Sequence, residues 1–178
     1  MLRLVLTLVL ILPISVAMAD ITGKPRVVDG DTIHIGKTKI RLHGIDAPEM
    51  KQTCRTRKGE EQMCGQLAKQ ALQRLVQGQD VVCKGDTRDR YKRLIAVCYV
   101  GPLNINEQMV VDGWAMAYWQ YSNDYISEEN SARIATSGLW REKFLAPWEW
   151  RRSRRAKRGM NGRHLSIRHL LMELFGGI

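Results

Sequence analysis

The chain has 178 residues, 44% apolar and 26% charged, with a formal charge of +10. That length fits one domain, and that composition excludes both a multi-pass membrane protein and a fully disordered one. The positive excess favours polyanionic partners, nucleic acid above all, without specifying a fold. It is unevenly spread: +1 in residues 1–19 and +7 in residues 151–178, which leaves +2 for residues 20–150. Phosphate binding by the middle of the chain therefore requires a local constellation and not bulk charge.

Residues 1–19 read as an address. Arg3 supplies a positive start, Leu4 to Val16 is an apolar run too short for a comfortable membrane span, and Ala17-Met18-Ala19 fits an A-x-A cleavage site. The expectation is an exported protein, periplasmic or secreted, starting at Asp20 and without a stable membrane span. An uncleaved anchor helix is the alternative. In an oxidising compartment an even cysteine count, four here, suggests disulfides. The absence of CxxC and HExxH spacings argues against zinc.

Lys24 to Val28 and Thr32 to Ile35 are predicted strands, interrupted at Asp29-Gly30-Asp31, with a tight turn at Gly36-Lys37. From Lys39 to Ile45 the residues alternate, Ile40 and Leu42 on one face and Lys39, Arg41 and His43 on the other, until Pro48 stops the ladder. Residues 50–63 are polar and read as loop. Gly65 to Val76 carries Leu67, Ala68, Ala71, Leu72, Leu75 and Val76 at helical spacing. Gln79 to Lys84 and Leu94 to Tyr99 form a hairpin around a polar turn centred between Arg90 and Tyr91. Cys83 and Cys98 are equidistant from that centre and so face each other at bridging distance. The hairpin thus favours a Cys83–Cys98 disulfide and, by remainder, Cys54–Cys64, with free buried thiols as the alternative. Two further helices are expected, Ile105 to Asp112, capped by Asn104 or Asn106, and Ser127 to Ser137. The order predicts an α+β domain over 20–150, an OB-fold-like five-stranded β-barrel with three packed α-helices. The remainder, 151–178, reads as a basic tail. Six basic residues in Arg151 to Arg158 are followed by a short amphipathic stripe at Ile167, Leu170, Leu171, Leu174 and Phe175.

Four acids, Asp29, Asp31, Asp46 and Glu49, fall within 21 residues, with Arg41 between them. Crowded carboxylates need a cation or a proton among them. Hard oxygen donors suit Ca²⁺ or Mg²⁺, and a metal beside an arginine suits phosphodiester chemistry. Taken alone, these acids also fit turn residues and a loop cap. Arg93 alone fits a solvated hairpin end, and the segments around Gly113 and Gly138 fit core-packing helix ends.

Taken together and in this order, Asp29-Gly30-Asp31-Thr32, Arg41 to Glu49, Asp89-Arg90-Tyr91-Lys92-Arg93 and Gly138-Leu139-Trp140 resemble the staphylococcal nuclease-like (thermonuclease) family. The likeness runs from about Arg26 to Trp140, and Ala146 to Arg152 is similar to exported bacterial members. The resemblance implies a Ca²⁺-dependent endonuclease acting on DNA and RNA with low sequence specificity and leaving 3′-phosphate ends. It implies Asp31 and Asp46 as carboxylate ligands of one Ca²⁺, with the backbone carbonyl of Ala47 as a further ligand. Glu49 matches the acid that positions or deprotonates the attacking water, and Arg41 and Arg93 match the two arginines that clamp the phosphate. Tyr91, Lys92 and one of Tyr118 or Tyr121 are expected at the substrate, with single strands preferred and the protein a monomer. A catalytically inactive nucleic-acid-binding module is the alternative. Two local difficulties stand out. Lys92 occupies a position that is glycine in the best-known family member: if the turn needs a positive φ the lysine is strained, and if not it adds a cation near the substrate. Arg41 and Asp46 are separated by an odd number and point apart on a regular strand. A kink or bulge near Gly44, or a strand end at Ile45, is needed to bring them together.

Overall fold

A computed structural model describes residues 20–160. The expected leader at 1–19 and the apolar stripe from Ile167 to Phe175 lie outside the described residues. In chain order the elements are β1 (Ile21–Gly23), β2 (Pro25–Val27), β3 (Thr32–Ile35), β4 (Thr38–Leu42), β5 (Ile45–Asp46), β6 (Cys54–Arg55) and β7 (Glu61–Gln62). They continue with α1 (Cys64–Val76), β8 (Val81–Arg88), β9 (Leu94–Val100), β10 (Leu103–Asn104), α2 (Ile105–Val111), β11 (Met116–Ala117) and α3 (Ile126–Ile134). A 3₁₀ turn at Gly138–Arg141 precedes a last helix, α4, which occupies 147–160.

The main sheet has the order β1-β8-β9-β4-β3-β2, antiparallel throughout except for the β4–β9 pair. Its two edges, β1 and β2, are consecutive stretches of one chain separated by Lys24, so the sheet curls back on itself. With β1 and β2 counted as one bent strand, and the two-residue β10 that pairs with β9 off this path set aside, five strands make the barrel, as the sequence predicts. The alternating faces behave as expected: Ile33, Ile40 and Leu42 point into the core with Leu72 of α1 and Ile105, Met109 and Val110 of α2, and all are essentially inaccessible. Burying each such side chain is worth about 1.5–3 kcal/mol.

The predicted strand from Lys39 to Ile45 is in fact two. It breaks at His43-Gly44, where Gly44 has φ +74°, and an added Cβ would sit 2.8 Å from the Tyr125 ring. The buried amide of Asn106 holds the break: it donates to the His43 and Ala96 carbonyls (3.0 and 3.1 Å) and accepts from the Cys98 N–H (3.0 Å). The loop at 50–63 contains the small β6–β7 hairpin, and both expected disulfides, Cys54–Cys64 and Cys83–Cys98, are present. Near the second bridge the register is the symmetric one, Cys83 opposite Cys98. It then shifts by one residue between Lys84 and Thr87, and β8 runs on to Arg88 instead of ending at Lys84. Gly85 sits at this bulge because a Cβ there would lie 2.1 Å from the Ile95 carbonyl oxygen. In the turn beyond, Lys92 does adopt φ +64°, so the lysine sits in a conformation that favours glycine.

Three helices were expected, and four lie among the described residues. Pro147, at the start of α4, suits a first helical turn because no partner is needed for its missing N–H. The Glu149 carboxylate accepts the Ala146 N–H (3.3 Å), half of a capping box. The helix runs unbroken through residues 150 and 151, where the sequence analysis divides domain from tail. Among the described residues no helix is long and apolar enough to cross a membrane.

Candidate active site

The β3–β4 register sets Thr32 opposite Arg41 and so places the Arg41 guanidinium beside Asp31. Its Nη1 donates to Asp31 Oδ1 (2.6 Å) and its Nη2 to Asp46 Oδ1 (2.9 Å). The break at Gly44 is what turns Asp46 onto the side of Arg41, against the parity of a regular strand. Asp31 and Asp46 are 5% and 0% exposed, so the guanidinium between them offsets charge that water does not reach. The second oxygen of Asp31 accepts the Ala47 N–H (3.1 Å), which fixes the backbone on which Ala47 presents its carbonyl. Glu49 is held through its backbone: its N–H donates to Oε1 of the fully buried Gln52 (3.2 Å), while Gln52 Nε2 donates to the Leu145 carbonyl (2.7 Å).

Arg93 approaches from the neighbouring strand. Its Nε donates to Asp89 Oδ2 (2.8 Å), and Asp89 Oδ1 accepts the N–H groups of Tyr91 and Arg93 (both 2.9 Å). Its Nη1 reaches Thr32 Oγ1 (3.4 Å), and that hydroxyl donates to Asp31 Oδ1 (3.0 Å). One polar chain thus joins Arg93, Thr32, Asp31, Arg41 and Asp46.

The titration behaviour follows from burial and these pairs. Burial pushes Asp46 above the usual carboxylate range, and the nearby Asp31 charge adds to the effect against the lowering influence of the arginines. Asp29 is pushed up to about 7, by burial first and by Asp31 second. For Arg41 burial works against the charge, yet Asp31 and Asp46 outweigh it and hold the guanidinium above its ordinary value. Burial likewise opposes ionisation of Asp89, but the hydrogen bonds from Arg93 outweigh it and keep Asp89 below the usual range.

Sequence reasoning missed Arg151. From the first turns of α4 its Nη2 donates to Asp46 Oδ2 (2.7 Å), and its Nη1 donates to Asp46 Oδ1 (3.0 Å) and Glu49 Oε1 (2.9 Å). Burial disfavours its charge, but its bonds to Asp46 and Glu49 raise it above the ordinary value. In the sequence it is one of six basic residues in eight, and nothing in the spacing separates it from the others. The cues are its place in the Ala146 to Arg152 stretch that is similar to exported bacterial members, and Trp148, three residues earlier and on the same helical face.

The expected aromatic contacts divide into two groups. The half-buried Tyr118 has its hydroxyl 3.5 Å from Arg151 Nη2 and its ring stacked on Trp148 (5.9 Å between centroids, 6° between planes). Burial raises its pKa, with Asp46 second. Tyr121 meets Tyr118 edge-on and is 75% exposed. Tyr118 therefore stands beside Asp46, with Tyr121 outside it against its ring. Tyr91 and Lys92 lie on the exposed hairpin tip, where the guanidinium groups of Arg90 and Arg93 lie over the Tyr91 ring (4.9 and 5.4 Å). The disulfides are structural. Cys54–Cys64 ties the chain just after Gln52 to the start of α1, and Cys83–Cys98 braces the β8–β9 hairpin.

Two buried carboxylates, a partly exposed glutamate and two arginines thus stand together on one side of a curled barrel, an arrangement chemically suited to a phosphodiester. The family model described as staphylococcal nuclease homologue matches residues 39–142. An uncharacterized endonuclease of Haemophilus influenzae is 36% identical over 135 residues, covering 71% of this chain and 70% of that protein. An uncharacterized endonuclease of Escherichia coli O157:H7 is 37% identical over 145 residues, covering 76% and 88%. Protein ParB of Escherichia coli is 31% identical over 177 residues, covering 89% and 94%. The chain belongs to the staphylococcal nuclease homologue family and is a phosphodiester-hydrolysing nuclease whose substrate is nucleic acid.

A divalent cation fits the donor chemistry. Among the described residues no three His, Cys, Asp or Glu side chains are grouped to hold a metal, but the expected set is smaller: two carboxylates and one backbone carbonyl. These are hard oxygen donors. The guanidinium of Arg151 already stands on Asp46 and Glu49 as a cation would.

Proposed function

We propose that this chain is an exported, Ca²⁺-dependent endonuclease that hydrolyses DNA and RNA with little sequence preference, cleaves the bond to the 5′ oxygen and leaves 3′-phosphate ends. The observation that supports this best is the polar chain joining Arg93, Thr32, Asp31, Arg41 and Asp46, with Glu49 at its edge. Two disulfides are compatible with an oxidising compartment.

Asp31, Asp46 and the Ala47 carbonyl would hold the cation, which supplies positive charge against the anionic phosphodiester. The planar forks of Arg41 and Arg93 donate to the phosphate oxygens and balance the negative charge that grows as water adds. Glu49, whose side chain is 38% exposed, accepts the proton of that water. The exposed rings of Tyr121 and Tyr91 are ones on which bases of any identity can stack, which suits single strands and low specificity.

The test is degradation of single-stranded DNA by purified protein with Ca²⁺, abolished by a chelator. Cleavage that continues unchanged in chelator overturns the metal requirement. Binding of the strand with no cleavage under any divalent ion identifies the inactive module instead.

A further inference from the structure

Arg151 sits where the proposed cation needs its ligands. Its fork holds both oxygens of Asp46 and one oxygen of Glu49. Asp46 is fully buried, so the guanidinium and a dication would share one low-dielectric pocket at short range, and like charges there repel strongly. The charge balance points the same way. Asp31, Asp46 and Glu49 against Arg41, with Arg93 offset by its own partner Asp89, leave two negative charges. Arg151 cancels one and a dication cancels both, so the two together overfill the site.

The arginine is also delivered with some force. It lies on the same face of α4 as Trp148, whose ring stacks on Tyr118, and the chain just before α4 is tied to the site by the Gln52–Leu145 hydrogen bond. The neighbouring basic residues Arg152, Arg154, Arg155, Lys157 and Arg158 are exposed, so Arg151 is the one member of the run that turns inward. A solvated linker does not explain that selection.

We propose that Arg151 is a built-in competitor of the divalent cation: its guanidinium occupies Asp46 and Glu49 in the metal-free protein and leaves both when the cation binds. This rests on the metal reading given above. It also assigns Glu49 two partners, Arg151 at rest and the attacking water in the loaded enzyme. A site closed nine-tenths of the time lowers the apparent affinity of its ligand about tenfold.

The experiment is calorimetric titration of the full chain with Ca²⁺, without nucleic acid, for wild type, Arg151→Gln, Trp148→Ala and Arg154→Gln. We expect Arg151→Gln to bind Ca²⁺ about tenfold or more tightly than wild type. Trp148→Ala, which loosens the helix while keeping the arginine, binds more tightly by a smaller factor, and Arg154→Gln, which removes the same charge outside the site, matches wild type. Should Arg151→Gln fail to fold, the comparison of Trp148→Ala with Arg154→Gln decides. If the Arg151 and Trp148 variants bind no more tightly than wild type, competition is refuted and the metal reading stands. If no protein binds Ca²⁺, the metal reading falls and takes the competition with it.

Discussion

Arg41→Met removes the charge between Asp31 and Asp46 while keeping most of the side-chain volume. The wild-type contacts are 2.6 and 2.9 Å, and the arginine side chain is 18% exposed, so the pair is screened little by water. Removing one partner of a buried pair costs roughly 3–5 kcal/mol. Arg151 still touches Asp46, which places this case at the lower end, about 3 kcal/mol, or a fall of about 6–12 °C in Tm for a domain of this size. The loss has a definite pH sign. Asp46 is raised in the folded protein, chiefly by burial. A raised carboxyl favours the fold below its unfolded value of about 3.9, and that contribution disappears as pH climbs through the folded value. Taking away Arg41 removes one influence that lowers Asp46, so its rise grows and the variant suffers more at about pH 8 than at about pH 5. Urea unfolding followed by tryptophan emission measures this at both pH values, with slope m unchanged. A loss below about 1 kcal/mol at about pH 8, or a larger loss at the lower pH, refutes the claim that Arg41 favours the charged form of Asp46.

The remaining expectations are simpler. Glu49→Gln and Arg93→Ala each lower turnover about 10²-fold or more while circular dichroism shows the fold intact, because both side chains work at the surface of the site. A wild-type rate in either variant removes the role assigned to that residue. Lys92→Gly relieves φ +64° and raises the unfolding free energy by about 0.5–1 kcal/mol, whereas an unchanged or lowered urea midpoint means the turn carries no strain. Gly85→Ala, with its Cβ 2.1 Å from the Ile95 carbonyl, lowers Tm and weakens the bulge; a stable, fully active variant shows that the hairpin relaxes freely there.

Much of this protein is written locally. Two-residue alternation at Ile40 and Leu42 specifies which strand face is buried, and helical spacing from Leu67 to Val76 specifies α1. Cys83 and Cys98 face each other as symmetry about a turn between Arg90 and Tyr91 predicts, although the bulge between them and the turn is part of what sets that register. Asp31, Arg41, Asp46, Glu49 and Arg93 stand out because their motifs are short, contiguous and ordered. Other features depend on what comes from far along the chain. The bend at Gly44 is fixed by Asn106, 62 residues later, and only this bend brings Asp46 to Arg41. The bulge at Gly85 appears only when β9 lies beside β8, and it shifts a register that symmetry about the turn predicts to be uniform. Arg151 is the sharpest case: an anonymous member of a basic run until α4 docks Trp148 on Tyr118 and turns this one guanidinium onto Asp46, 105 residues away. Periodicity encodes which face of an element is apolar. It does not encode the helix position against a distant barrel, which packing decides, and that position determines whether an arginine meets water or a buried carboxylate.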